Sequence, residues 1–400
     1  MIAVRTAQQR NLITAGAFSM SFLVVAYAIL VTLAAGAGIA REAEQATLNG
    51  LTPSSDPGAS GSKAIVFGGG SAPDPGTGGP VGDCGQTRIQ QLVDSVSEAK
   101  IKANLEKLVQ DDSKPTPNSL GSRHISSPMN QVKVDWAKQQ LSSYGLSIID
   151  QPFSSGGYDL HNMVGRLQGS GNTVYTAGAH IDSIADDSET VAPGADDDGS
   201  GVVIVMEAAR VLKSYQSCLK SHIDFVGFND EEEGMEGSVV YANDIESQGF
   251  KGLYNMDMLG YAAGGEPCIA NNYNSDRDKF MADKLEEVNS KYGVNMTLQM
   301  GTYSADDIDS ISFWNKSMPS AYAVECNEDS PGYHTTDDTL EHISYPQMTA
   351  FTKVLVAGLA ELASDANSGS GTATGDAPQN GGGTDDADTD TEETSTGEDE

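Results

Sequence analysis

Between residues 146 and 258 short β-like runs alternate with helical ones, and this alternation restricts the chain more than any other feature of its sequence. The runs are LSIIDQPF, HNMVGRL and TVYTAGAH, then GVVIVMEAARVLKS with helical character, HIDFVGF, a helical stretch after Gly237, and GLYNMDM. Strands that alternate with helices in this way build a central, largely parallel sheet covered on both faces. The expected fold class is therefore α/β, a three-layer αβα arrangement around a mixed, largely parallel sheet. In such sheets ligands gather beyond the carboxyl ends of the strands, which is where the chemistry should be sought.

Composition divides the remainder of the chain. Residues 12–40 are uncharged and mostly apolar, longer than the roughly 20 residues that span a bilayer. Arg5 and Arg10 precede the run and are expected to stay in the cytoplasm, with the bulk of the chain outside. Residues 1–40 are thus expected to be a hydrophobic anchor, or a signal segment if the chain is cut after Gly38-Ile39-Ala40. Residues 41–85, ending near GSAPDPGTGGPVGD, are too rich in Gly, Pro and Ser for a packed core and are expected to form a stalk. Amphipathic helices are predicted within TRIQQLVDSVSEAKIKANLEKLV and NQVKVDWAKQQLSSYG. They open a folded domain over residues 86–363. Residues 364–400 are expected to be a disordered acidic tail.

The formal net charge of -34 separates partner classes. Eleven of the negative charges follow Ser364, so the rest of the chain still carries about -23, and such a field repels nucleic acid. No nucleic-acid partner is expected. Four cysteines, Cys84, Cys218, Cys268 and Cys326, suit one or two disulfides in an oxidising compartment. Their pairing is open, and none forms a C-x-x-C zinc or redox motif.

Five segments concentrate titratable residues at predicted strand ends. TAGAHIDS ends a strand on His180 with Asp182 two residues on, and a metal-bound imidazole commonly leans on such a carboxylate. APGADDDGSG packs Asp196, Asp197 and Asp198 together just before a helix. These serve either as a solvated helix cap or as a carboxylate that bridges two cations. NDEEEGMEGS places Glu231, Glu232 and Glu233 after a strand, and a neighbouring glutamate pair can divide metal ligation from proton transfer. YNMDMLGY sets Asp257 against an apolar strand, where an unpaired carboxylate is costly. SPGYHTTDDTLEHI offers His334 in a loop before the last helix; His342 is read as a surface residue.

In their order and approximate spacing these five segments resemble the zinc aminopeptidases and glutamate carboxypeptidases of the family typified by bacterial leucyl aminopeptidases. The resemblance covers about residues 90 to 362. It implies the zinc-peptidase (phosphorylase/hydrolase-like) fold and two zinc ions per chain. His180 and Asp257 would hold one zinc, Glu232 and His334 the other, and Asp197 would bridge them. Glu231 would be the general base and Asp182 the residue that orients His180. The implied reaction is hydrolysis of the N-terminal peptide bond of peptides with a free N-terminus, by a water that bridges the two metals.

The resemblance departs in MGTYSADDIDSISFWNK, residues 300–316, where relatives often carry Ser-Asp-His and this chain has no histidine. Tyr303 there could supply a hydroxyl to the oxyanion. Three rival activities share the scaffold: a carboxypeptidase, a one-zinc glutaminyl cyclase and a receptor-like ectodomain without catalysis. A carboxypeptidase acting on acidic C-termini needs basic residues over the site, whereas the five segments supply acids.

Overall fold

The computed structural model describes residues 84–364, apart from 112, 115–118, 187, 189, 304–306 and 327–329. The expected anchor, most of the stalk and the acidic tail lie outside the described residues.

Helix α1 (Gln86–Asp94) and helix α2 (Glu98–Val109) divide what the sequence presented as one amphipathic segment. The break falls on two serines. The Ser95 hydroxyl donates to the Leu92 carbonyl at 2.8 Å, and the Ser97 N–H donates to Glu207 at 2.8 Å instead of continuing the helix. Helix α3 (Pro128–Ser143) has the start its sequence specifies: Ser127 accepts from the Met129 N–H, with Pro128 in the first turn.

Ten strands follow: β1 (Ser147–Ile148), β2 (Pro152–Ser155), β3 (Tyr158–His161), β4 (Met163–Leu167), β5 (Val174–His180), β6 (His222–Phe228), β7 (Phe250–Met256), β8 (Cys268–Tyr273), β9 (Thr297–Thr302) and β10 (Ser320–Glu325). Among them run helices α4 (Gly199–Leu212), α5 (Glu231–Gly234), α6 (Glu236–Ile245), α7 (Lys279–Lys291), α8 (Ser310–Trp314) and, last, α9 (Tyr345–Ser364). Eight strands form one sheet in the order β1-β4-β6-β5-β7-β10-β8-β9, and β2 and β3 form a separate hairpin. The pairs β6–β5, β5–β7, β7–β10 and β8–β9 are parallel; β1–β4, β4–β6 and β10–β8 are antiparallel. The run LSIIDQPF splits between the sheet edge and the hairpin because its register with β4 ends at Ile148.

The central strand β5 is buried at every position, as a parallel strand covered on both faces must be. One face packs against α4 and α9, with α2 lying against these two helices, through residues such as Leu105, Val205, Phe351 and Leu355. The other face carries Val164, Val226, Phe228 and Leu253 against Tyr241 and Ile245 of α6 and Phe313 of α8. Cys84 pairs with Cys218 and Cys268 with Cys326, closing the pairing that spacing left open. Two disulfides suit an oxidising compartment. Among the described residues no helix is long and apolar enough to cross a membrane.

Candidate metal centre

The parallel register sets the site. β5 and β6 pair His180 with Phe228, while β5 and β7 pair Gly178 with Asn255. Two further residues along β7 therefore bring Asp257 level with His180, and three beyond Phe228 reach Glu231. The turn before α4 supplies Asp197. Its neighbour Gly194 has φ 51°, a left-handed conformation that favours glycine, and the Gly194 carbonyl accepts from the Gly199 N–H at 3.0 Å. His334 arrives from the loop between β10 and α9 and is itself left-handed, with φ 56°. A non-glycine residue in that region stores roughly 1–3 kcal/mol that the surroundings must offset.

Asp197 occupies the centre. Its Oδ1 lies 2.9 Å from His180 Nε2, and its Oδ2 lies 3.2 Å from His334 Nε2. Each histidine also faces a second carboxylate: Asp257 Oδ1 at 3.5 Å from His180 Nε2, and Glu232 Oε2 at 3.1 Å from His334 Nε2. The five residues expected as ligands thus converge in two groups that share Asp197.

Burial and charge act against one another here. Burial would raise the Asp197 carboxyl, but the hydrogen bonds to His180 and His334 outweigh it and hold the group below the ordinary aspartate range. Burial, with Asp197 close by, pushes Glu232 up to about 7. Burial also lifts Asp257, and it lifts Glu231 well above an ordinary glutamate. His334 rises to about 10 through its contacts with Asp197 and Glu232.

The residues fit bound metal. Glu232 Oε1 is buried without a hydrogen-bond partner, and so many acids in one buried space repel one another unless positive charge lies between them. Ligand atoms of His180, Asp197 and Glu232 lie within 4.8 Å of one another, as do those of His180, Asp198 and Asp257. Asp198 is nonetheless committed elsewhere. Its Oδ1 accepts from the N–H groups of Gly201 and Met258, at 2.8 and 3.3 Å, and its Oδ2 accepts from the His180 N–H at 3.1 Å. The third acid of the triplet is therefore the cap of α4 and a bolt between strand ends. An imidazole and carboxylate donor set suits zinc.

Asp182 is fully buried, and its Oδ1 lies 3.7 Å from His180 Nδ1, beyond hydrogen-bond reach. Its oxygens instead accept the N–H groups of Glu231 and Glu232. Asp338 grips main chain in the same way, its two oxygens accepting the N–H groups of Asp196 and Asp197 at 2.9 and 3.0 Å. Nothing in the spacing of a sequence links residue 338 to residue 197, so that role was not legible. His342 lies in a short 3-10 turn at Leu340–His342, partly exposed and outside the cluster.

A cleft of about 620 Å³ opens over the cluster. Met235, Met258, Ile308, Tyr322 and Val324 supply apolar wall, and Tyr303, Asp307, Glu325 and Tyr333 supply polar atoms. No lysine or arginine lines it among the described residues. Tyr303 Oη donates to Asp307 Oδ1 at 3.2 Å, and its ring meets that of Tyr322 at 4.8 Å. Tyr333 stacks on the His334 ring at 3.8 Å.

Residues 162–359 match the family model described as Peptidase family M28. Over 292 residues the chain is 28% identical to leucine aminopeptidase 1 of Metarhizium robertsii, covering 66% of this chain and 69% of that protein. The LapA aminopeptidase of Legionella pneumophila superposes with a TM-score of 0.61 at 24% identity, over 70% of this chain and 75% of LapA. A glutaminyl cyclase of Tannerella forsythia superposes with a TM-score of 0.55 at 19% identity, over 66% of this chain and 98% of the cyclase. The likenesses to solved structures establish the three-layer αβα fold and leave the choice of reaction to the site.

Proposed function

Residues 162–359 form a peptidase family M28 domain, and on that premise we propose that the protein is a zinc aminopeptidase with two metal ions. The observation that carries the metal count is the division of Asp197: one oxygen faces His180, the other faces His334, and each histidine has its own second carboxylate. His180, Asp257 and Asp197 would hold one zinc, and His334, Glu232 and Asp197 the other. When bound, the zinc ions supply Lewis acidity, which polarises a carbonyl and lowers the pKa of water toward 7.

The protein's own groups do the rest. Glu231 lines the cleft beside His180 and Asp257, and among the described residues it makes no ion pair that would hold its carboxylate away from substrate. It takes one proton from the attacking water and returns it to the leaving amine nitrogen as the peptide C–N bond breaks. The acid-lined cleft, which holds no lysine or arginine among the described residues, favours a substrate's free α-ammonium over a C-terminal carboxylate, which argues against the carboxypeptidase reading. Its apolar wall of Met258, Ile308, Tyr322 and Val324 is suited to an apolar residue at the N-terminus. The relative in Metarhizium robertsii is named for leucine, the same class of side chain. The glutaminyl cyclase reading is the weaker one, because a single-metal site has no use for a second histidine–carboxylate pair across Asp197.

The deciding experiment strips metal from the protein with a chelator, restores zinc, and follows aminoacyl chromogenic amides beside their N-acetylated forms. Zinc-dependent cleavage confined to the free amines is expected. Equal cleavage of the acetylated forms, or none with two zinc ions bound, rules the aminopeptidase out.

A further inference from the structure

Arg123 lies upstream of the region that matches the family model, yet it sits behind the metal cluster with no exposed surface. Its guanidinium is spent on main-chain carbonyls. Nε donates to the Ile181 carbonyl at 2.8 Å, Nη1 to that of Pro193, and Nη2 to that of Gly194 at 3.0 Å. Its own N–H donates to Ser183 Oγ at 3.2 Å. These acceptors bracket one excursion of the chain, which leaves β5 immediately after His180 and returns immediately before the Asp196–Asp198 triplet.

A second set of contacts reaches the other strand end. The Arg123 carbonyl accepts from Asn130 Nδ2 at 2.6 Å, and the side chains of Asn130 and Asn229 exchange hydrogen bonds at 2.8 and 2.9 Å. Asn229 is the residue from which the chain turns through Asp230 into Glu231 and Glu232. Among the described residues no carboxylate is in ion-pair contact with Arg123, while Asp338, Asp182, Asp198 and Asp197 all act on its charge through space.

We infer that Arg123 is a positioning residue for the metal ligands: its fork fixes the spacing between His180 and Asp197, so that its loss weakens zinc binding without touching the substrate cleft. A planar fork with several fixed donors can hold three carbonyls that diverge, whereas an ammonium at the same depth cannot. Removing groups that orient metal ligands typically weakens metal affinity about 10- to 100-fold. The inference rests on the proposed zinc site, and the test separates the two.

The test uses the full chain as wild type, Arg123→Lys, Arg123→Met and, as a control for stability alone, Leu285→Ala on the buried face of α7. Each protein is stripped of metal, checked for folding by circular dichroism, and titrated with zinc in competition with a chelating dye. Wild type and Leu285→Ala are expected to bind two zinc ions with equal affinity. Arg123→Lys is expected to bind about 10-fold and Arg123→Met about 100-fold more weakly, with KM at saturating zinc unchanged and kcat reduced. Folded arginine variants that bind zinc as tightly as wild type overturn the inference, as does a defect confined to KM. Should Arg123→Met not fold, Arg123→Lys and Ser183→Ala decide by the same measure. A wild-type protein that binds no zinc overturns the metal reading itself, and the inference with it.

Discussion

The Asp182 carboxylate accepts a hydrogen bond from the main-chain N–H of Glu231 at 3.1 Å. With its other oxygen it accepts the N–H of Glu232 at 3.2 Å. A residue on the exit from β5 thus holds the segment after β6 that carries both the proposed base and a proposed ligand. Both proposed functional carboxylates are therefore placed by an acid that need not touch substrate.

Replacing Asp182 by Ala leaves two partly buried N–H groups without their acceptor and frees Glu231 to wander. We expect kcat to fall about 10- to 100-fold, with a smaller loss for Asp182→Asn, which keeps one carbonyl oxygen. Steady-state kinetics with zinc content measured on the same samples checks this. Activity within about twofold of wild type in Asp182→Ala would show that the amide contacts do not position the glutamates.

Glu231 itself should separate chemistry from metal binding. Glu231→Gln removes the proton acceptor while keeping shape, so kcat is expected to drop about 10²- to 10⁴-fold with two zinc ions still bound. Loss of zinc in step with loss of activity would move Glu231 from base to ligand.

Metal removal should reverse the usual pH dependence of stability between about pH 5 and 8. In the chelated protein burial pushes Glu232, and the buried Asp309 that precedes α8 and feels the charges of His180 and Asp257, up to about 7 in the folded state, well above their unfolded values near 4. A carboxyl whose folded pKa is raised binds protons on folding, so stability is highest at low pH and is lost as pH rises through the folded value. His334 works in the same direction: its folded value of about 10 gives stability present below its unfolded value near 6.5 and lost as pH rises further. Asp197 is depressed, so its contribution is already constant above about pH 4. Thermal unfolding in chelator should therefore show a lower Tm at about pH 8 than at about pH 5.5. A Tm that rises across this window would contradict the crowded-acid account of the site.

The disulfide Cys268–Cys326 anchors the start of the loop that delivers His334, because Cys326 follows β10 directly. Its removal in the double variant Cys268→Ser with Cys326→Ser is expected to cost about 2–4 kcal/mol of stability. It should also weaken the zinc held by His334 and Glu232 before the one held by His180 and Asp257. Chemical denaturation and stepwise zinc titration measure the two effects. Equal loss at both positions would mean that the loop is fixed by other contacts.

That these candidate residues converge was legible in the chain because the physics that brings them together is local. A histidine or acid at the end of an apolar run must emerge at a sheet edge, and parallel connectivity brings those edges together. That logic reaches His180, Asp257 and the Glu231–Glu232 pair, and the alternation of strands and helices specifies the layered fold around them. What only the tertiary structure decided is how long-range partners divide. Asp198 caps α4 while its neighbour Asp197 faces both histidines; Asp182 accepts the amides of Glu231 and Glu232; Asp338 and Arg123, from far along the chain, hydrogen-bond the main chain that flanks His180 and Asp197. Cysteine pairing belongs to the same class, since Cys84 finds Cys218 only after the sheet has assembled. The physical reason is range: propensity and periodicity act over a few residues. A buried carboxylate or guanidinium takes whatever donors and acceptors the folded chain brings within about 3 Å of it.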